Sequence, residues 1–176
     1  VTVQGGSRRI DRILRPEYAD GLAAMPLDEL RSRRDECLAE REYLSLLRRL
    51  VQGRAEILKA EVERRGGSGQ EGTLVERLAK VLSFVGHGTS RGEAVKGGLP
   101  EEEMLQALRR VERLVMDAGL SDPTALDDGQ LGGAVDLLEA EEQEVSRDRS
   151  AVIEVLDRVQ DELKRRYKED PSLVLS

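Results

Sequence analysis

The residues of this chain best suited to chemistry are Ser45, Arg48, Gln52 and Glu56 on one stretch and Ser146, Arg149, Ile153 and Asp157 on another, with Arg41 and Glu142 four residues upstream of each serine. At about 100° per residue the five positions of each set fall inside an arc of about 80°, one stripe along a helix. Arginine can pair with phosphate or stack on a base, a carboxylate can accept both the N1 and N2 hydrogens of guanine, and serine can bond phosphate. Such a stripe is chemically matched to a guanine nucleotide. The plainer reading of the same residues is a solvated helix face with i,i+4 charge pairs.

The two sets belong to a repeat. A shift of 101 residues lays 30–65 over 131–166, and ten of those 36 positions are identical, among them Ser45/Ser146, Arg48/Arg149, Glu40/Glu141, Glu61/Glu162 and Arg65/Arg166. Charged helices match one another by composition alone, so the weight rests on which residues recur. Serine is a mediocre helix former, yet it returns on the same rung in both copies, followed by the arginine and, further on, the carboxylate. Directly beside the polar stripe runs an apolar one. Its first copy is Leu44, Leu47, Val51, Ala55, Leu58 and Val62; its second is Val145, Val152, Leu156, Val159 and Leu163, interrupted by Asp148.

Two long helices are needed to carry these stripes. Residues 26–65 are predicted as the first: Pro26 suits a first turn, Asp28 and Glu29 favour the positive end of the dipole, and Gly66-Gly67-Ser68-Gly69 supplies the stop. Forty residues of helix span roughly 60 Å, a rod that a chain of this size can bury only against another long helix. Residues 126–168 are predicted as that mate, with Gly132-Gly133 weakening its first turns and Pro171 beyond its end. Residues 1–25 form an arm with a short amphipathic helix at Arg8–Leu14, and 169–176 a tail. The 66–125 connector holds a capped helix from Thr73 to about Phe84 and another opened by Pro100 and ended by Gly119, with Leu105, Leu108, Val111, Leu114 and Val115 as its apolar face. The fold class expected is all-α: a long antiparallel helical hairpin, or coiled coil, with short accessory helices.

Composition narrows the function. Aromatic residues make up only 2% of the chain, which argues against a sandwich, barrel or doubly wound sheet. Charged residues reach 36% while apolar ones still reach 39%, a balance of long exposed helices rather than of disorder. His87 is the only histidine and Cys37 the only cysteine, so a His/Cys metal cluster, a histidine-based triad and an internal disulfide are all without material, and a reducing cytoplasm fits. The Gly-rich run Val85–Gly92 lacks the Gly-Lys-Ser/Thr ending of a phosphate-binding loop and reads as a connector. No catalytic and no metal-binding residue is assigned, and an enzyme is not expected. The net charge of −7 argues against a general nucleic-acid binder, and no apolar run approaches the ~18 residues of a membrane span. The chain opens at Val1 without Met, which leaves room for an upstream segment.

On the stripe residues the sequence resembles the RsiG-type anti-sigma factors of actinobacteria, which bind cyclic di-GMP and whose mark is Glu-x3-Ser-x2-Arg-x3-Gln-x3-Asp on both helices of an antiparallel coiled coil. The second copy, Glu142-x3-Ser146-x2-Arg149-x3-Ile153-x3-Asp157, departs only at Ile153; the first has Arg41 for Glu and Glu56 for Asp. Leu27-Asp28-Glu29-Leu30, Leu50–Arg54 and the Arg165-Arg166-Tyr167 ending extend the likeness. The resemblance implies an intercalated pair of cyclic di-GMP molecules on the two helices, no metal, and a held WhiG-type sigma factor, with sporulation genes repressed. It implies that Arg48 and Arg149 contact guanines or phosphates, that Glu56 and Asp157 meet guanine edges, and that Ser45, Ser146, Gln52 and Glu142 add polar contacts. Arg41 exchanges a carboxylate for a positive charge and Ile153 cannot hydrogen-bond, so a weaker or less symmetric site is expected. The acidic balance suits the basic surface of a sigma factor, with no direct contact to nucleic acid. The competing reading is a coiled-coil scaffold or interaction protein without a small ligand.

Overall fold

Apolar residues recur at helical spacing from Leu30 to Leu58 and from Leu131 to Leu163, with no proline inside either run, and both runs are helix throughout. The computed structural model describes residues 8–66, 99–117, 119 and 122–174. Among these residues every regular element is helical: α1 (Arg9–Ile13), α2 (Leu27–Arg65), α3 (Glu101–Asp117) and α4 (Asp128–Glu169), joined by 3-10 turns at Pro16–Ala19, Leu22–Ala24, Pro123–Ala125 and Pro171–Val174. The helix predicted from Thr73 to about Phe84 and the Gly-rich run around His87 lie outside the described residues.

The ends of the helices follow local chemistry. Pro26 stands just ahead of α2 rather than in its first turn, and its carbonyl accepts the Leu30 N–H at 3.1 Å. Outside the helix its missing N–H costs nothing. Asp127 holds the equivalent place before α4: its Oδ1 accepts the Gln130 N–H at 2.8 Å while Gln130 Oε1 accepts the Asp127 N–H at 2.9 Å. This reciprocal cap opens α4, and Gly132 and Gly133 sit within continuous helix.

The chain divides into two units, Val1–Ser45 with Ser146–Ser176, and Leu46–Val145. In the first unit the leading half of α2 lies antiparallel to the trailing half of α4. Leu30 packs on Val159 and Leu163, and Leu22, Met25, Leu27 and Tyr167 close over that cluster. Ile10 and Ile13 of α1 are buried, and Arg9 Nε donates to Glu40 Oε2 at 2.5 Å. In the second unit the trailing half of α2 lies antiparallel to the leading half of α4, as the pairs Lys59–Glu139 at 2.7 Å and Arg65–Asp128 at 3.0 Å show. Leu47, Val51, Ala55, Leu58, Leu131, Leu138 and Val145 are buried there, and α3 adds Ala107, Val111 and Val115.

The repeat reaches further than the long helices. Arg110 of α3 donates to Glu141 at 2.9 Å, as Arg9 of α1 does to Glu40, and both arginines and both glutamates are 101 residues apart. Arg65 at the end of α2 donates to the carbonyls of Pro123, Thr124 and Leu126, and Arg166 near the end of α4 donates to those of Leu22 and Ala23. Each unit therefore has an accessory helix tied by an Arg–Glu pair and a 3-10 turn held by an arginine from a helix end, where cations are favoured.

Two apolar assignments need correction. Val62 is 44% exposed, although its counterpart Leu163 is buried. Unit one closes over Leu163 with Leu22, Met25, Leu27 and Tyr167, whereas the positions 101 residues away are Pro123, Leu126, Asp128 and Gly66. On α3 the buried line is Ala107, Val111 and Val115, while Leu105 and Leu108 are 42% and 43% exposed. The i,i+4 spacing of that line puts it on one face, and Leu105 is turned about 120° from Val111.

Glu40 is 4% exposed, so its pairing decides its cost. Arg9→Ala is expected to destabilise the protein by roughly 2–4 kcal/mol, because a buried carboxylate loses its cation. Arg8→Ala, which removes only the exposed Arg8–Asp11 pair, should leave stability nearly unchanged. Urea unfolding of the two variants checks the contrast.

Candidate functional site

The stripe residues fall into two clusters, one in each unit. In the first unit Ser45 is the centre: its Oγ donates to the Arg41 carbonyl at 2.7 Å and accepts from Arg149 Nε at 2.8 Å. A helical serine commonly bonds back to the carbonyl four residues earlier. That bond fixes the hydroxyl here, and the fixed hydroxyl then anchors the arginine of the other helix. Only Nε of Arg149 is used in this bond, so its terminal nitrogens keep a fork of donors for an anion or a base. The Arg41 guanidinium is drawn to Glu42 at 2.8 Å. Ser146 and Ile153 are half-buried, and Asp157 is exposed.

In the second unit Glu142 is the centre. Gln52 Nε2 donates to its Oε1 at 3.0 Å, and Arg48 Nη1 stands 3.7 Å from the same oxygen. The second distance is beyond a hydrogen bond and leaves a loose ion pair. Glu56 lies 3.6 Å from Lys59, which also holds Glu139. Thus Ser45 and Arg149 come together across two helices, as do Arg48, Gln52 and Glu142, whereas Glu56 faces a lysine of its own helix.

Residues not singled out from the sequence frame these clusters. Glu40 and Glu141, tied to Arg9 and Arg110, immediately precede the motif positions 41 and 142. Both glutamates are identities of the repeat, so the signal was present in the sequence, although their partners lie outside the aligned stretch. Tyr18 is buried with its hydroxyl donating to Glu36 at 2.7 Å, and burial pushes the phenol well above its ordinary range. Burial likewise raises the Cys37 thiol, which suppresses its thiolate. Among the described residues no cluster of His, Cys, Asp or Glu could hold a metal ion, and no helix is long and apolar enough to cross a membrane.

Each long helix carries a strongly paired carboxylate near its end. Hydrogen bonds from Arg64 and Arg65 hold Glu61 down at about 2, and those from Arg165 and Arg166 hold Glu162 at about 2. Both groups are depressed on folding, so their stabilisation is present above the unfolded value near 4.5 and is lost as pH falls toward about 2. The thermal midpoint is expected to drop across that window, and less steeply in a Glu61→Gln/Glu162→Gln variant. Circular dichroism melts at a series of pH values measure both slopes.

Residues 16–82 match the RsiG-like family. The match takes in all of α2 with the first motif copy and ends before α4. No curated protein matches the chain.

Proposed function

We propose that this chain is an anti-sigma factor that binds cyclic di-GMP, as an intercalated pair, and in that state holds a WhiG-type sigma factor away from sporulation genes. The observation that carries the proposal is the repeated Ser–Arg–carboxylate stripe, whose members Ser45 and Arg149 meet across two helices at 2.8 Å. The RsiG-like match over residues 16–82 supports the anti-sigma part.

In this reading Arg149, oriented by Ser45, offers its free donors to a phosphate or a guanine face. Arg48 exchanges its loose contact with Glu142 for the ligand, and the released Glu142, with Glu56 and Asp157, accepts guanine N1 and N2 hydrogens. Gln52 and Ser146 add hydrogen bonds. Two copies of the motif suit a ligand pair that has two-fold symmetry. Ile153 provides no hydrogen bond and Arg41 favours phosphate, so the two guanine ends are held unequally. Sigma binding and ligand binding strengthen each other by linkage if each favours the same state.

One observation favours a ligand-free scaffold: Gln52 and Arg48 are already engaged by Glu142, as in a helix zipper that needs no third component. Calorimetry separates the readings. Titration of cyclic di-GMP into the protein, alone and with a WhiG-type sigma factor, is expected to give saturable heat in at least one case, and absence of heat in both would sink the ligand.

A further inference from the structure

Leu105, Arg109, Glu112 and Met116 of α3 follow one another at spacings of four, three and four residues, the spacing of a coiled-coil seam. Unlike a core seam this one is open: Leu105 is 42% and Met116 66% exposed, and Arg109 and Glu112 are exposed as well. The residues that the helix buries form a different line, Ala107, Val111 and Val115. Arg109 has no ion pair among the described residues, and Glu112 keeps half of its side chain exposed while bound to Arg54.

We infer that this seam of α3 docks on the same seam of a second copy of the chain, running antiparallel. The charge order selects that occupant. When the helix is reversed against itself, Leu105 meets the mate's Met116, and Arg109 meets the mate's Glu112, each contact occurring twice about a two-fold axis. A parallel mate in register would set arginine on arginine and glutamate on glutamate. An unrelated partner needs no such self-complementarity. The apolar residues stand at the two ends of the seam and the ion pairs at its centre, so only one register satisfies all four layers.

One short helix buries less than the roughly 800 Å² per partner of a standard interface, so the dimer is weak and concentration-dependent. The inference does not depend on the proposed ligand, since no stripe residue takes part.

Sedimentation equilibrium of the full chain over a concentration series tests it. The expected result is a monomer–dimer equilibrium whose dissociation constant rises about tenfold or more in Leu105→Glu, about 1.4 kcal/mol. Arg109→Glu should weaken it similarly, by setting glutamate against glutamate, and an equimolar mixture of Arg109→Glu and Glu112→Arg should associate again. All three positions are exposed, and unchanged helix content by circular dichroism verifies that α3 is intact. A chain that stays monomeric throughout, a dimer indifferent to Leu105→Glu, or a mixture that fails to associate with helix content intact would overturn the inference. So would a monomer in which Leu105→Glu abolishes capture of a sigma factor, since the seam would then belong to that partner.

Discussion

Under the proposed function, Arg149→Ala is expected to weaken cyclic di-GMP binding roughly 30- to 150-fold, the 2–3 kcal/mol associated with charge-assisted hydrogen bonds. The size follows from preorganisation. Ser45 already anchors Arg149 through Nε at 2.8 Å, so the ordering of a long side chain is complete before ligand arrives. Ser45→Ala should therefore show a smaller loss of the same kind, because the charge remains and only its orientation is released. The reference must lie off the stripe and touch nothing else. Arg158 fails on the second count, since it donates to the Ala19 carbonyl at 2.9 Å. Arg147 is exposed and about 160° around α4 from Arg149, so Arg147→Ala should change affinity by less than about twofold. Calorimetry on the three variants decides, and equal losses for Arg147 and Arg149 would remove the stripe as the site.

The second large effect separates two positions that the repeat treats as equivalent. Leu163→Ala is expected to cost about 2–5 kcal/mol, whereas Val62→Ala should cost less than about 0.5 kcal/mol. Leu163 is 3% exposed in the cluster with Leu30 and Val159, while Val62 is 44% exposed. Truncating the first leaves a cavity beneath Leu22, Met25, Leu27 and Tyr167; truncating the second removes surface that water already reaches. Urea unfolding measures both, and similar costs would mean that the two ends pack alike after all.

These cases show how far the sequence could be read. The long helices were legible because a 3.6-residue apolar rhythm, a missing proline and clear end signals act locally and agree with one another. The stripe was legible for the same reason, since positions that share an arc on a helix stay together whatever else happens. The Arg9–Glu40 and Arg110–Glu141 ties were not, because each joins an accessory helix to a long one and no local rule specifies which arginine reaches which glutamate. The apolar face of α3 was legible only in part for a related reason: Val111 and Val115 are buried as expected, whereas Leu105 and Leu108 are exposed. Leu105, Leu108 and Val111 are all apolar at helical spacing, and only packing selected the Ala107–Val111–Val115 line.

By itself the sequence determined the helical class, the repeat and the identity of the residues on each polar stripe, because these depend on backbone propensity and on angles within one helix. The tertiary structure alone decided which stripe residues meet. Ser45 holds Arg149, and Glu142 draws Gln52 and Arg48, because antiparallel pairing within each unit sets residues of α2 and α4 side by side in one register. A helix fixes the direction in which a side chain leaves it, and only a second helix fixes what that side chain reaches.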